Sequence, residues 1–370
     1  MKYILVLSVF FNVGLLHGQN AGEEKMKWFN PAQQNSQVLE GQAWPAEVKN
    51  FYDRFPAKAE KSVRKAVWQL SRNAAGMKLR FRTDARSITV RYKVENKTYA
   101  MNHFPATGVS GIDLYALNRD GSWAWATGKY KFEDTISYRY QNLDLDSENY
   151  PQGREFHLYL PLYNNVSWME IGVPKNNSLE MLQARKEKPI VVYGTSIAQG
   201  GCASRPGMAW TAILERNLHM PLVNLGFSGN GRLEKEVADL LVEIDARIFI
   251  LDCLPNLEGF QSLEVEDRIL ATVRAIRKKD QLVPIVLTQH SGFIENRLDS
   301  STRQSLKRIN SVSVAAFRKL RAEGVRNIHM LTYDKVTMGV DGTVDGAHPS
   351  DLGMTRYAKA YEKLIKSILK

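Results

Sequence analysis

The chain opens on a hydropathy pattern that no later segment repeats. Lys2 precedes an apolar run from Ile4 to Leu16, interrupted by Ser8 and Asn12, and His17-Gly-Gln-Asn20 closes it with polar or small residues. A positive start, a short apolar segment and a polar boundary predict a secretory signal peptide over residues 1–19, too short to span a bilayer. The mature protein is therefore expected to be secreted or periplasmic, without stable membrane insertion.

From about residue 64 to 174 the pattern has period two. Met77-Lys-Leu-Arg-Phe81, Ser87-Ile-Thr-Val-Arg-Tyr92, Phe156-His-Leu-Tyr-Leu160 and Val166-Ser-Trp-Met-Glu-Ile171 all alternate, with turn-rich stretches such as Asn118-Arg-Asp-Gly121 and residues 141–153 between them. Short alternating strands predict a β-sandwich or jelly-roll-like domain over residues 25–180. Trp123 and Trp125 have two readings: a platform for a sugar ring, or core and interface aromatics.

After about residue 185 the rhythm changes. Apolar runs at 190–193, 222–225, 246–253, 282–288 and 328–331 predict strands, with longer helical patterns between them. In one, Leu233, Val237, Leu240, Leu241 and Ile244 recur close to once per helical turn. Such alternation predicts an α/β domain over residues 185–370 with a mostly parallel sheet. Its functional groups belong beyond the carboxyl ends of the strands.

Composition narrows the classes. The 370 residues are 44% hydrophobic and 24% charged, which fits a globular chain of two domains. The net charge of +11 comes from Lys and Arg scattered among acids, with no basic arm and no zinc-finger spacing, so nucleic acid is not an expected partner. Attraction to acidic polymers or an anionic envelope is the milder implication. Cys202 and Cys253 are the only cysteines, so no disulfide framework holds the fold, and a single bridge between them stays open.

The candidate chemistry sits in four loops. Ser196 in "YGTSIAQGG" follows the first α/β strand, "FSGNG" with Gly229 follows the second, and "LDCLPN" with Asn256 ends the third. "DGAHPSDLG" places Asp345 three residues before His348, with a helix starting after Ser350. A serine needs a base to become a nucleophile, and an imidazole held by a carboxylate is that base. Backbone N–H groups at a glycine and an asparagine amide suit a developing oxyanion. Asp252 is a rival carboxylate by position, and His290, ending the fourth strand, faces either the cleft or solvent.

These residues carry a resemblance. Residues 185–370 resemble an SGNH/GDSL hydrolase of the branch that writes "GTS" for "GDS": "GTSIAQGGCASRPG" supplies Ser196, with Thr195 in the usual aspartate position. "NLGFSGNG" supplies Gly229, "LDCLPN" Asn256, and "DGAHP" the Asp345/His348 pair, while "GIDLYAL" at Gly111–Leu117 is similar to the GxDLY signature of the attached β-rich domain. The resemblance implies a three-layer α/β/α domain and a serine esterase with catalytic Ser196, His348 and Asp345. It further implies an oxyanion hole of Ser196, Gly229 and Asn256, with no metal or organic cofactor required. The expected substrate is a short-chain acyl ester, acetyl first, on an oligosaccharide or polysaccharide. A lipid-directed acylhydrolase is the alternative enzyme, and a noncatalytic carbohydrate-binding or envelope protein the alternative of another class.

Overall fold

The structure, a computed structural model, describes residues 25–291 and 298–370. The leader expected at residues 1–19 lies outside them. Among the described residues, no helix is long and apolar enough to cross a membrane.

Two antiparallel sheets form the first part. One runs in the order Met26–Phe29, Val166–Pro174, Ile88–Val94, Ile136–Tyr140, Lys129–Lys131. The other runs Leu179–Met181, Lys78–Thr83, Arg154–Tyr159, Asp113–Leu117, Trp123–Ala126, with Leu39–Glu40 also paired to Lys78–Thr83. Alternate residues turn inward, and Leu79, Phe81, Val90, Tyr92, Leu114, Phe156, Leu158, Met169 and Ile171 fill the space between the sheets.

The second sheet is buried on both faces. Where Phe156 and Leu158 point into the sandwich, Tyr159 and Tyr115 join a core shared with the following part. The same outer face carries buried Lys78, which meets Glu215 and Glu40, and buried His157, whose Nδ1 lies 3.2 Å from Lys78 Nζ; Arg185 bridges both acids at 2.6 and 2.8 Å. Burial opposes ionisation of Glu40, but Lys78 and Arg185 outweigh it and hold its carboxyl at about 2.

Residues 190–331 supply five parallel strands: Ile190–Gly194, Leu222–Gly226, Ile248–Asp252, Ile285–Thr288 and Ile328–Leu331. In sheet order they are second, first, third, fourth, fifth. Val191, Tyr193, Phe249 and Leu251 pack under helices Lys235–Leu241, Ser262–Lys279 and Ser300–Ala322. Ile190, Val192, Ile248 and Ile250 face helices Trp210–Leu218 and Asp351–Ile368. Three layers result, as the sequence pattern and the resemblance imply. The first strand has neighbours on both sides, so the chain leaves its carboxyl end at the switch point where α/β sheets open a crevice.

Two boundaries differ from the pattern. The predicted helix over 233–244 is confined to Lys235–Leu241, because Leu233 adopts a positive φ of 51° and Glu234, at the N-cap position, is extended. The fourth strand starts at Ile285 rather than Leu282, since Pro284 cannot donate to a ladder and Leu282 is exposed.

Residues 44–71 lie against the α/β part. Trp44, Phe55, Val63, Val67 and Trp68 join the core that contains Phe227, Leu233 and Val237. Arg54 is fully buried there and donates to the carbonyls of Asn73, Leu70, Asn224 and Gly226 at 2.6–2.9 Å.

Candidate active site

Ser196 opens a one-turn helix, Ser196–Gln199, directly after the first parallel strand. Thr195 is its cap: the Oγ1 accepts the Ile197 N–H at 3.3 Å. This is the local role of a residue standing where the resemblance places an aspartate. As the first residue of its helix, Ser196 has a backbone N–H with no partner inside that helix.

The acid and base come from a loop held by its own hydrogen bonds. Asp345 Oδ1 accepts the backbone N–H groups of Ala347 and His348 at 2.9 and 2.7 Å. Its Oδ2 lies 2.7 Å from His348 Nδ1. Partial burial works against the charge on Asp345, yet the hydrogen bonds from His348 and Ala347 hold its carboxyl below the ordinary aspartate range. Ser350 then caps helix Asp351–Ile368 by accepting the Gly353 N–H. The loop brings His348 Nε2 to 2.7 Å from Ser196 Oγ. With Nδ1 donating to the carboxylate, Nε2 is the acceptor for the serine proton.

Asn256 and Gly229 lie on the neighbouring loops. Asn256 ends a short turn after the third strand, and its Oδ1 accepts the Gly231 N–H at 3.0 Å, which leaves its NH2 group as the free donor end. Gly229 has a φ of +68° and open space where a Cβ would stand. Gly231 is needed for a different reason: a Cβ there would lie 2.0 Å from the Gly194 carbonyl oxygen.

Several supports were invisible to sequence reasoning. Gln199 is buried; its Oε1 accepts the Ser228 N–H at 2.9 Å while its amide donates to Asn73 and Leu162. Tyr163 donates to the Ser196 carbonyl at 3.3 Å. The GIDLY segment clamps the end of the loop after Ser196: Asp113 accepts from Gly207 N–H, Arg205 and Trp125 Nε1, and Tyr115 accepts from Arg205.

Other candidates resolve differently. Asp252 is fully buried and its Oδ2 accepts from Tyr357 and Tyr361 at 3.2 and 3.1 Å, so it is a core carboxyl while Asp345 meets the histidine. Burial raises its pKa to about 7. His290 is not solvent-facing: it is buried, with Nε2 2.9 Å from Glu258. Trp123 is an interface residue, donating to the Arg216 carbonyl and stacking near His219. Trp125 is half-exposed with Arg205 over its ring. Both cysteines are free thiols. Among the described residues, no group of three or more His, Cys, Asp or Glu is placed to hold a metal.

A Ser–His–Asp chain beyond the carboxyl edge of a parallel α/β sheet is the arrangement of a serine hydrolase, and the family match narrows it to a carboxylic ester hydrolase. The protein belongs to the GDSL-like lipase/acylhydrolase family, which matches residues 187–366, and residues 26–179 match the GxDLY N-terminus of SGNH-hydrolase-type esterases. A GDSL-like lipase from Bacteroides ovatus is 33% identical with a TM-score of 0.83, covering 93% of this chain and 98% of its own. A salicylyl-acyltransferase from a tetracycline biosynthetic pathway (20% identity, TM-score 0.71, 93% and 97% covered) shares the fold. So does a family two carbohydrate esterase from Cellvibrio japonicus, at 10% identity and TM-score 0.55, with 93% and 98% covered. Comparison with curated proteins finds none that matches.

Proposed function

We propose that the protein hydrolyses short acyl esters, acetyl above all, on carbohydrate, through an acyl-enzyme on Ser196. The observation that carries the chemistry is the continuous chain Ser196 Oγ–His348 Nε2–His348 Nδ1–Asp345 Oδ2, with 2.7 Å at each hydrogen bond. Ser196 Oγ attacks the ester carbonyl carbon while His348 takes its proton, and Asp345 favours the imidazolium that forms. The carbonyl oxygen becomes an oxyanion met by the Ser196 and Gly229 N–H groups and the Asn256 amide. Collapse expels the alcohol, which receives the proton from His348. Water, deprotonated by the same imidazole, then attacks the acyl-enzyme and releases the acid.

The compact loop Ala198–Gly207, made largely of small and polar residues, offers little apolar area for a long tail, which supports a small acyl group. The signal peptide pattern supports action outside the cytoplasm, where acetylated polysaccharide is met. A related architecture occurs in the Cellvibrio japonicus carbohydrate esterase, which agrees with a carbohydrate alcohol.

The test has two arms. Acetate release from an acetylated oligosaccharide is expected from the wild type and absent in Ser196→Ala. On soluble acetyl, butyryl and octanoyl esters of one alcohol, kcat/KM is expected to fall with length. A bound methylene is worth up to about 0.8 kcal/mol, so an acyl groove would produce a rise, and that rise would move the assignment to lipid esters.

A further inference from the structure

The oxyanion hole proposed above needs the Gly229 N–H to point at the substrate, and glycine gives that peptide plane little resistance to turning over. The Ser228 N–H held by Gln199 belongs to the preceding peptide and cannot fix it. The described residues contain no cis peptide, so the Gly229 N–H points opposite to the Ser228 C=O. Whatever holds the Ser228 oxygen therefore aims the Gly229 donor. That partner is Asn230, whose Nδ2 donates to the Ser228 oxygen at 2.8 Å.

An amide side chain can turn end for end, which would put its oxygen against the Ser228 carbonyl. The Asn230 Oδ1 is held by Arg64 Nη1 at 2.7 Å. A guanidinium only donates, so it selects the orientation in which Nδ2 faces Ser228. Arg64 is itself fixed. Its Nε donates to Glu234, its carbonyl accepts from Trp68 N–H at 3.0 Å, and neighbouring Val63 and Val67 are buried in the shared core.

We propose that Arg64, supplied by the segment between sandwich strands Leu39–Glu40 and Lys78–Thr83, is a positioning residue of the esterase site, aiming the Gly229 donor through Asn230 and the Ser228 carbonyl. This rests on the reading of Gly229 as an oxyanion donor. Part of the GxDLY-matched region is then a working element of the catalytic centre, independent of any role in holding substrate. It touches no reacting atom, so its effect belongs in the rate and not in ground-state affinity.

The experiment compares the full-length wild type with Arg64→Met, Arg64→Lys, Asn230→Ala and the double variant Arg64→Met/Asn230→Ala. The Arg64 side chain is 39% exposed, so the variants are expected to fold, and thermal melting checks this. Losing a whole oxyanion donor costs roughly 10²–10³ in kcat, and disordering one is expected to cost roughly 5- to 50-fold. Arg64→Met should show that loss with KM within about twofold, and weaken a boronic acid mimic of the tetrahedral intermediate by a similar factor. Arg64→Lys should recover part of the rate. The double variant should be no slower than Asn230→Ala, because both changes cut one relay. An unchanged kcat in folded Arg64→Met, a loss confined to KM, or additive losses would overturn the proposal. Fluorophosphonate labelling of wild-type Ser196 separates the two failures: no label defeats the serine reading itself, whereas a labelled wild type with a fully active Arg64→Met defeats only the relay.

Discussion

Asp345 holds His348 at two points, with one carboxylate oxygen 2.7 Å from the backbone nitrogen and the other 2.7 Å from Nδ1. The backbone bond fixes where the residue sits, and the ring bond fixes its tautomer. Asp345→Asn should therefore fold normally yet lose roughly 10²–10⁴ in kcat, because an amide NH2 facing Nδ1 favours the wrong tautomer. Ser196→Ala and His348→Ala should each be close to inactive, and their double variant little worse than either. Steady-state kinetics on a soluble acetyl ester, with circular dichroism as the folding check, measures all four. Near-normal turnover by folded Ser196→Ala would remove the nucleophile assignment.

Asn256 has its oxygen tied to Gly231 N–H, so its amide nitrogen is the end left for substrate. Asn256→Ala should lower the acylation rate by roughly 10²–10³, about 3–4 kcal/mol of transition-state stabilisation. Pre-steady-state kinetics separates this from binding. A variant altered only in KM would point to a loop-organising role.

Asp252 gives a pH signature that belongs to stability and not to catalysis. Its folded pKa is raised to about 7 by burial, above the ordinary value of 3.8. Below 3.8 both states hold the proton. Between 3.8 and 7 the unfolded chain gives it up first, so stability falls as pH rises through that window and levels off above it. Asp252→Asn lacks this component. Relative to wild type it should gain up to about 4 kcal/mol between pH 4 and pH 8, and contributions from other groups cancel in the comparison. Denaturant titrations at the two pH values test it, and a pH-independent difference would contradict it.

Arg54, fully buried, joins the carbonyls of Leu70 and Asn73 to those of Asn224 and Gly226. Arg54→Met keeps the bulk but leaves buried acceptors without this donor. A loss of about 3–5 kcal/mol is expected in urea unfolding, as when one partner of a buried charged network is removed. A change below about 1 kcal/mol would mean that water or another donor takes its place.

The strand pattern was legible because period-two and near-helical spacings survive whatever the chain later packs against. Ser196, Gly229, Asn256, Asp345 and His348 were legible as loop residues because an α/β sheet collects its loops at one edge. Arg64, Gln199 and Arg54 were not. Arg64 meets Asn230 166 positions away, and nothing in the residues around Arg64 marks it off from any charged helix start. The choice between Asp252 and Asp345 depended on side-chain direction at a strand end, which periodicity does not specify. Tyr357 and Tyr361, visible only as spaced aromatics of a helix face, turned out to be the groups that claim Asp252.

We assign the acyl-carrying role to Ser196. Acid-quenching the enzyme within the first turnovers of an acetyl ester, then mapping it by peptide mass spectrometry, reads out that role. One acetyl group on the peptide containing Ser196, formed in the wild type, missing in Ser196→Ala and accumulating no faster in Asn256→Ala, is the predicted result. Turnover without any acylated Ser196 peptide, or an acetyl group on another residue that persists in active Ser196→Ala, would contradict it.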